Sequence, residues 1–313
     1  MNTSPVQVTR RTFLRSAALA VLAPAAARAS APHAHHHHYI DAHVHIWTSD
    51  TQRYPISKHF SRKDMEPPTF TPPELFAHCR PQGVSRIVLI QMSFYEFDNR
   101  YMTDAIAQYP GVFRGVGIVD ETQANVRDTM KALAKQGVRG FRLYANKKNV
   151  KKWEQSAGMK AMWTYGADAG LAMCLLADPE VLPTVQRMCQ AYPRTPVVID
   201  HFARIGMKHP ARPADIDNLC RLAAFKHTHV KTSAFYALGA KTAPYTDCAP
   251  LVRRLREAYG ASRLMWASDC PYQVQKGHTY ANSIAVIRDR LDFLTPEDKH
   301  WMLRGTAEKV FFA

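Results

Sequence analysis

Two histidines stand two positions apart at the end of an apolar run, in YIDAHVHIW at 39–47. Successive side chains of an extended segment alternate between faces, so His43 and His45 share one, and rings about 7 Å apart along a strand can converge on one ion or polarise one carbonyl. A carboxylate set against such a pair balances the charge of an ion and can also take a proton from water. The chain offers Asp269, which ends SRLMWASD at 262–269 just before Pro271 stops the run. Other apolar runs carry polar residues near their ends in the same way: Gln91 in SRIVLIQM, Arg142 and Tyr144 in GVRGFRLYA, His201 in TPVVIDHF, and Ser233 or Tyr236 in HVKTSAFY. Arg142 shares a face with Gly140 and Tyr144, and its planar fork suits either a substrate carboxylate or a core acid. His201 is expected to point inward with Val197 and Ile199, which turns Asp200 toward the helices in a structural role, within reach of Arg204.

The elements that must position these groups alternate along the chain. Strand-like runs lie at 39–47, 85–92, 112–120, 137–145, 171–177, 195–202, 229–236 and 262–269. Helix-like segments such as PPELFAHCRPQG, TQANVRDTMKALAKQG, PEVLPTVQRMCQAY and CAPLVRRLREAYG lie between them, often entered by a polar residue or proline and left through glycine. Strand then helix, eight times over, predicts a (β/α)8 barrel, whose reactive groups gather at the C-terminal ends of the strands. An open doubly wound sheet would need a glycine-rich phosphate loop after an early strand, and neither GxGxxG nor a Walker pattern is present. The segment 48–73, with Pro55, Pro67, Pro68, Pro72 and Pro73, exceeds an ordinary connection and is expected to cover the barrel mouth as a lid. Helices near 280–293 and 296–312 should finish the chain.

The first residues are expected to stand apart from the barrel. TRRTFLR at 9–15, the apolar run SAALAVLAPAAA and the small-residue site Ala27-Arg28-Ala29 predict a twin-arginine signal peptide over residues 1–29, read by the twin-arginine export machinery and cleaved after Ala29. The run is shorter than the roughly 20 residues of a spanning helix, so a stable membrane anchor is not expected, and the mature chain should be periplasmic or secreted. Residues 30–38, with His33 and His35 to His38, read as a His-rich flexible tail. Four arginines and no acid fall within the signal, which lowers the net charge from +15 to +11 for the remainder. Basic residues are dispersed and no nucleic-acid motif accompanies them, which argues against a nucleic-acid partner. Six cysteines carry no CxxC spacing, which excludes a zinc knuckle and a redox dithiol, and a chain of 313 residues needs no disulfide framework.

HVHIW, the late IDH, WASDCP and the terminal GTAEKVFF together make the chain resemble the amidohydrolase superfamily, in its amidohydrolase-related branch of lactonases and decarboxylases, from residue 39 to the end. The resemblance implies a distorted barrel of amidohydrolase type with the strand-one histidines and the strand-eight aspartate around a catalytic water. Within the branch, VVIDHFAR is most similar to the sugar-lactone and 2-pyrone-4,6-dicarboxylate lactonases. By position, His43 and His45 become metal ligands or carbonyl polarisers, His201 a further ligand or substrate contact, and Asp269 both ligand and base; Arg142, Gln91 and Tyr144 are the substrate-binding candidates. Strand five has Cys174 and Leu175 where binuclear and decarboxylating members place a histidine, and strand four offers Arg142 rather than a bridging lysine, so a binuclear centre is not expected. One divalent ion, zinc by preference, and metal-independent catalysis both stay open.

The leading expectation is a hydrolase that opens a lactone or similar acyl substrate, anionic or sugar-like, with an Asp269-activated water. The same groups could instead decarboxylate an aromatic acid, and the third possibility is a non-catalytic periplasmic binder of small anions.

Overall fold

The computed structural model describes residues 1–4 and 38–313. The expected signal peptide and most of the His-rich tail therefore lie outside the described residues. Among the described residues no helix is long and apolar enough to cross a membrane.

Eight parallel strands follow chain order round one sheet: β1 (Tyr39–Val44), β2 (Val84–Ile90), β3 (Phe113–Gly117), β4 (Val138–Ala145), β5 (Ala172–Ala177), β6 (Val197–Ile199), β7 (Thr228–Ser233) and β8 (Leu264–Ala267). The seam between β8 and β1 is drawn together at the C-terminal rim, where His45 N donates to Cys270 O (2.8 Å) and Asp269 N to His43 O (2.9 Å). The sheet is thus a distorted (β/α)8 barrel of amidohydrolase type, and the backbones of its chemistry-bearing residues make the closing contact.

Around it stand α1 (Pro72–Cys79), α2 (Arg100–Gln108), α3 (Val126–Lys135), α4 (Ala157–Ala169), α5 (Leu182–Ala191), α6 (Pro213–Arg221), α7 (Ala249–Tyr259), α8 (Tyr280–Ala285) and α9 (Pro296–His300). Local chemistry fixes their ends. Thr71 N donates to Glu74 Oε2 (2.6 Å) and prolines fill the first two positions of α1, where no amide partner is needed. Ser156 Oγ accepts from Met159 N at the start of α4, and Gly170 leaves it at φ +66°, a conformation costly for any residue with a Cβ.

Alternation along the strands builds two apolar layers. Val88 and Ile90 join Ile40, Ala42, Val116, Cys174, Val198 and Met265 inside the barrel, whereas Ile87 and Leu89 pack outward against the helices. All six cysteines are free thiols.

The segment 48–73, expected as a lid, reaches the barrel mouth, where Phe60 lines a cavity together with Arg142 and Tyr144. It packs beside the mouth: Tyr54 OH donates to Asp104 Oδ2 (2.7 Å), Ser57 N to Phe94 O (2.8 Å), and Gln275 Nε2 to Glu66 O (3.2 Å). Its own apolar content anchors it there, since Tyr54, Met65 and Phe70 are buried.

Candidate active site

The site begins with an irregularity in β1. Asp41 lies opposite Ile87 and Val44 opposite Leu89, so β1 carries one extra residue between them. That bulge breaks strict alternation, and His43 turns inward although Ala42 before it is also inside. Asp41 faces outward and locks the bulge: its Oδ1 accepts from Ser268 N (2.9 Å) and His43 N (3.2 Å), and its Oδ2 from Tyr280 OH (2.7 Å). Full burial pushes its carboxyl up to about 6.

β6 runs in the phase opposite to the one expected. Val197 and Ile199 pack outward and Val198 inward, so Asp200 enters the barrel instead of facing the helices. The strand ends there, and His201 to Arg204 all take left-handed backbone angles (φ 51 to 57°), which swings His201 into the mouth as well. Arg204 pairs with Asp178, not with Asp200. Asp269 also has a positive φ, of 64°. Left-handed angles cost non-glycine residues of order 1 kcal/mol or more and persist where the surroundings enforce them, commonly at functional sites.

Three imidazoles and one carboxylate converge. His43 Nε2 and His45 Nε2 are 3.2 Å apart, and Asp269 Oδ1 lies 3.5 Å from each and 3.8 Å from His201 Nε2. The outer ring nitrogens are held from behind. His45 Nδ1 meets Ile90 O at 2.9 Å, and because a carbonyl only accepts, that nitrogen carries the hydrogen and Nε2 presents its lone pair. His201 Nδ1 meets Ser233 Oγ at 2.8 Å, and Tyr236 OH donates to Asp269 Oδ2 at 2.7 Å. Asp269 Oδ1 is buried with no hydrogen-bond partner and faces the three rings.

Lys231 and Asp200, which sequence reasoning missed as functional groups, lie beneath this cluster. Both are fully buried; Lys231 Nζ is 3.0 Å from Asp200 Oδ1 and 3.2 Å from His43 Nδ1, while Asp200 Oδ1 is 3.4 Å from the same nitrogen. The signal was Lys231 in HVKTSAFY, two residues before Ser233 and therefore on its face.

Burial favours the neutral form of His43, and the Lys231 ammonium adds to this, so its imidazole sits well below the usual range; burial lowers His201 too. Burial would raise Asp200, but Lys231 and then His43 outweigh it and keep the carboxylate ionised. Burial would likewise raise Asp269, and the imidazoles, His201 foremost, reverse this and hold it well below the usual carboxylate range.

The cluster forms one end of a pocket of about 210 Å³ whose walls include Arg142, Tyr144, Tyr236 and Tyr272. Arg142 is 8% exposed, its Nε is buried without a partner, and among the described residues it pairs with no carboxylate. Of its two open uses, the core-acid pair is therefore not the one adopted. Gln91 is placed elsewhere: its Nε2 donates to Asp98 O (2.7 Å) and Glu96 O (3.4 Å), bracing the loop after β2 outside the pocket lining. The backbone carbonyls of that loop need a donor, and the amide supplies it.

The donors suit a metal ion. His43, His45 and Asp269 can each present one ligand atom, all within 4.8 Å of one another. A tetrahedral ion with bonds of about 2.0–2.1 Å has donor–donor edges of about 3.3 Å, close to the spacing of the two Nε2 atoms. For His43 to offer Nε2, its Nδ1 must carry the hydrogen, and Asp200 is the acceptor placed to take it.

Comparison with known proteins agrees with this geometry. The family model described as amidohydrolase matches residues 40–313. An L-fucono-1,5-lactonase of Burkholderia ambifaria is 28% identical over 280 residues, covering 86% of this chain and 93% of the relative. Two crystal structures share the fold. One is a Pseudomonas putida protein assigned as a 2-pyrone-4,6-dicarboxylic acid hydrolase (TM-score 0.75, 24% identity, 88% of this chain and 98% of that one). The other is a Burkholderia multivorans amidohydrolase with bound zinc (TM-score 0.73, 17% identity, 88% and 99%). With the match running from the second residue of β1 to the last residue of the chain, this protein belongs to the amidohydrolase family.

Proposed function

We propose that the chain opens a lactone ring by hydrolysis at the C-terminal mouth of the barrel. The observation that carries this reading is the convergence of three imidazole Nε2 atoms on an unpartnered carboxylate oxygen, Asp269 Oδ1, in a pocket at the barrel mouth. The lactone chemistry of the Burkholderia ambifaria and Pseudomonas putida relatives supports it.

Asp269 accepts a proton from water as the water oxygen attacks the acyl carbon. The carbonyl electrons move to an oxyanion, the ring C–O bond then breaks, and the proton returns to the leaving alkoxide to give a hydroxy acid. The hydrogen bond from Tyr236 fixes the carboxylate so that Oδ1 faces the imidazoles. His201, braced by Ser233, contacts the substrate carbonyl.

His43 has two uses, set by which neighbour takes its Nδ1. When Lys231 donates to Nδ1, Nε2 carries the hydrogen and donates to the oxyanion; when Nδ1–H turns to Asp200, Nε2 becomes a ligand. A single zinc held by His43, His45 and Asp269, as the fold relative with bound zinc encourages, would supply Lewis-acid polarisation of the carbonyl. Arg142 and Tyr144, which line the same pocket as Asp269, bind the polar substituents of an anionic or sugar-like substrate.

A pH-stat screen over sugar 1,5-lactones, 2-pyrone-4,6-dicarboxylate and aromatic carboxylic acids, run before and after chelation and after adding back zinc, tests the reading. Ring opening well above the spontaneous rate is expected. Carbon dioxide release from an aromatic acid with no lactone opened would overturn it.

A further inference from the structure

A second cavity of about 1020 Å³ adjoins the catalytic pocket, and Ser93, Arg142 and Tyr144 line both. Sites that enclose a drug-sized ligand run to about 300–1,000 Å³. The inner pocket is smaller than that range and holds a fragment, one ring; the outer cavity has room for more.

Its walls are specific in kind. Phe97, on the loop after β2, is 52% exposed, and apart from Met1 it is the one large apolar side chain left exposed among the described residues. Lys148 and Lys152, on the turn after β4, stand on the same cavity, and neither ammonium pairs with a carboxylate among the described residues. Arg142 brings its unpartnered, buried Nε to the junction of the two chambers. Two acids share the wall, Glu96, already held by His59 at 2.8 Å, and Glu121. An exposed aromatic face beside three cations suits a flat or cyclic group that carries negative charge.

We propose that the outer cavity binds the distal ring of a two-ring, acidic lactone: the lactone ring occupies the inner pocket, and the second ring lies on Phe97 with its carboxylate among Arg142, Lys148 and Lys152. This rests on the lactonase reading and narrows its substrate to a class.

Hydrolysis by the full chain is compared for glucono-1,5-lactone, for cellobiono-1,5-lactone, and for the lactone of the same disaccharide with glucuronic acid as its distal ring. The expected kcat/KM is about tenfold or more higher for the acidic two-ring lactone than for the one-ring lactone, with the neutral one between. Phe97→Ala, and separately the double change Lys148→Ala with Lys152→Ala, should each cut that ratio by about tenfold. A wild-type ratio near one, or a ratio that neither variant alters, would overturn the proposal. Calorimetry with the ring-opened two-ring diacid against gluconate separates the two levels. Phe97-dependent preference for the diacid with no lactone opened upholds the cavity and removes the lactonase reading, whereas equal binding of both acids overturns the cavity assignment.

Discussion

The two ends of this barrel use charge in opposite ways. At the N-terminal floor, Glu308 takes Arg86 at 2.6 Å and Arg304 at 2.9 Å, Arg86 and Arg114 lie over the Phe312 ring, and fully buried Phe311 plugs the interior. Every carboxylate oxygen of Glu308 has a cation, and the arrangement closes the fold. At the mouth, buried polar atoms are left open: Asp269 Oδ1 and Arg142 Nε have no hydrogen-bond partner, and three imidazoles face one of them. Unsatisfied buried groups cost about 1–3 kcal/mol each, and two of them, Asp269 Oδ1 and Arg142 Nε, share the one pocket, which reserves them for a ligand. Lys231 marks the boundary, with His43 and Asp200 on its mouth side and the Phe311 ring 5.7 Å away below.

That contrast can be broken from either end. Asp269→Asn keeps the shape and removes the base; kcat for the best lactone should fall by about 10³-fold or more in a variant that circular dichroism shows to be folded. A variant that unfolds, or that keeps activity within tenfold, would place Asp269 with the floor residues. Lys231→Met tests the boundary. It leaves Asp200 ionised and unpaired at 0% exposure, and urea unfolding should show a loss of about 3 kcal/mol or more, largely restored when Asp200→Asn is added.

Arg142→Lys sharpens the contrast at the mouth. A point charge in place of a fork should lower kcat/KM for anionic lactones by about 10- to 100-fold with no change in melting temperature, since no acid relies on Arg142 in the fold. Glu308→Gln makes the matching change at the floor. Hydrogen bonds from Arg304 and then Arg86 depress Glu308 to about 2, so its stabilisation is complete above its ordinary value of 4.5 and disappears as the pH falls through about 2. The variant should be less stable at pH 6 by under about 1 kcal/mol, a small figure because the side chain is 38% exposed, and the gap should close toward pH 2 with lactone turnover unaffected.

Period and punctuation in the chain made the barrel legible: six of the eight strands fall within the expected apolar runs, and β2 and β7 each begin one residue earlier, because parallel strands buried on both faces read as continuous apolar segments. Helix α2 was not visible; Asn99 makes no side-chain cap, and RYMTDAIAQ hides its buried residues among polar ones. At the site, His43, His45, His201 and Asp269 stood out because polar residues ending apolar runs are conspicuous. Asp200 and Lys231 did not, because their roles depend on strand phase. A one-residue error in the phase of β6 sends Asp200 to the wrong side, and the left-handed turn at His201 that lets two consecutive residues face inward has no glycine to announce it. Gln91 failed for a different reason: a loop's own carbonyls claimed it.

Isotope tracing reaches the central claim most directly. Opening of a 1,5-lactone in ¹⁸O-enriched water should place one ¹⁸O in the new carboxylate, at a rate that Asp269→Asn abolishes. Label in the released hydroxyl, or equal incorporation by the variant, would contradict attack at the acyl carbon by a water that Asp269 deprotonates.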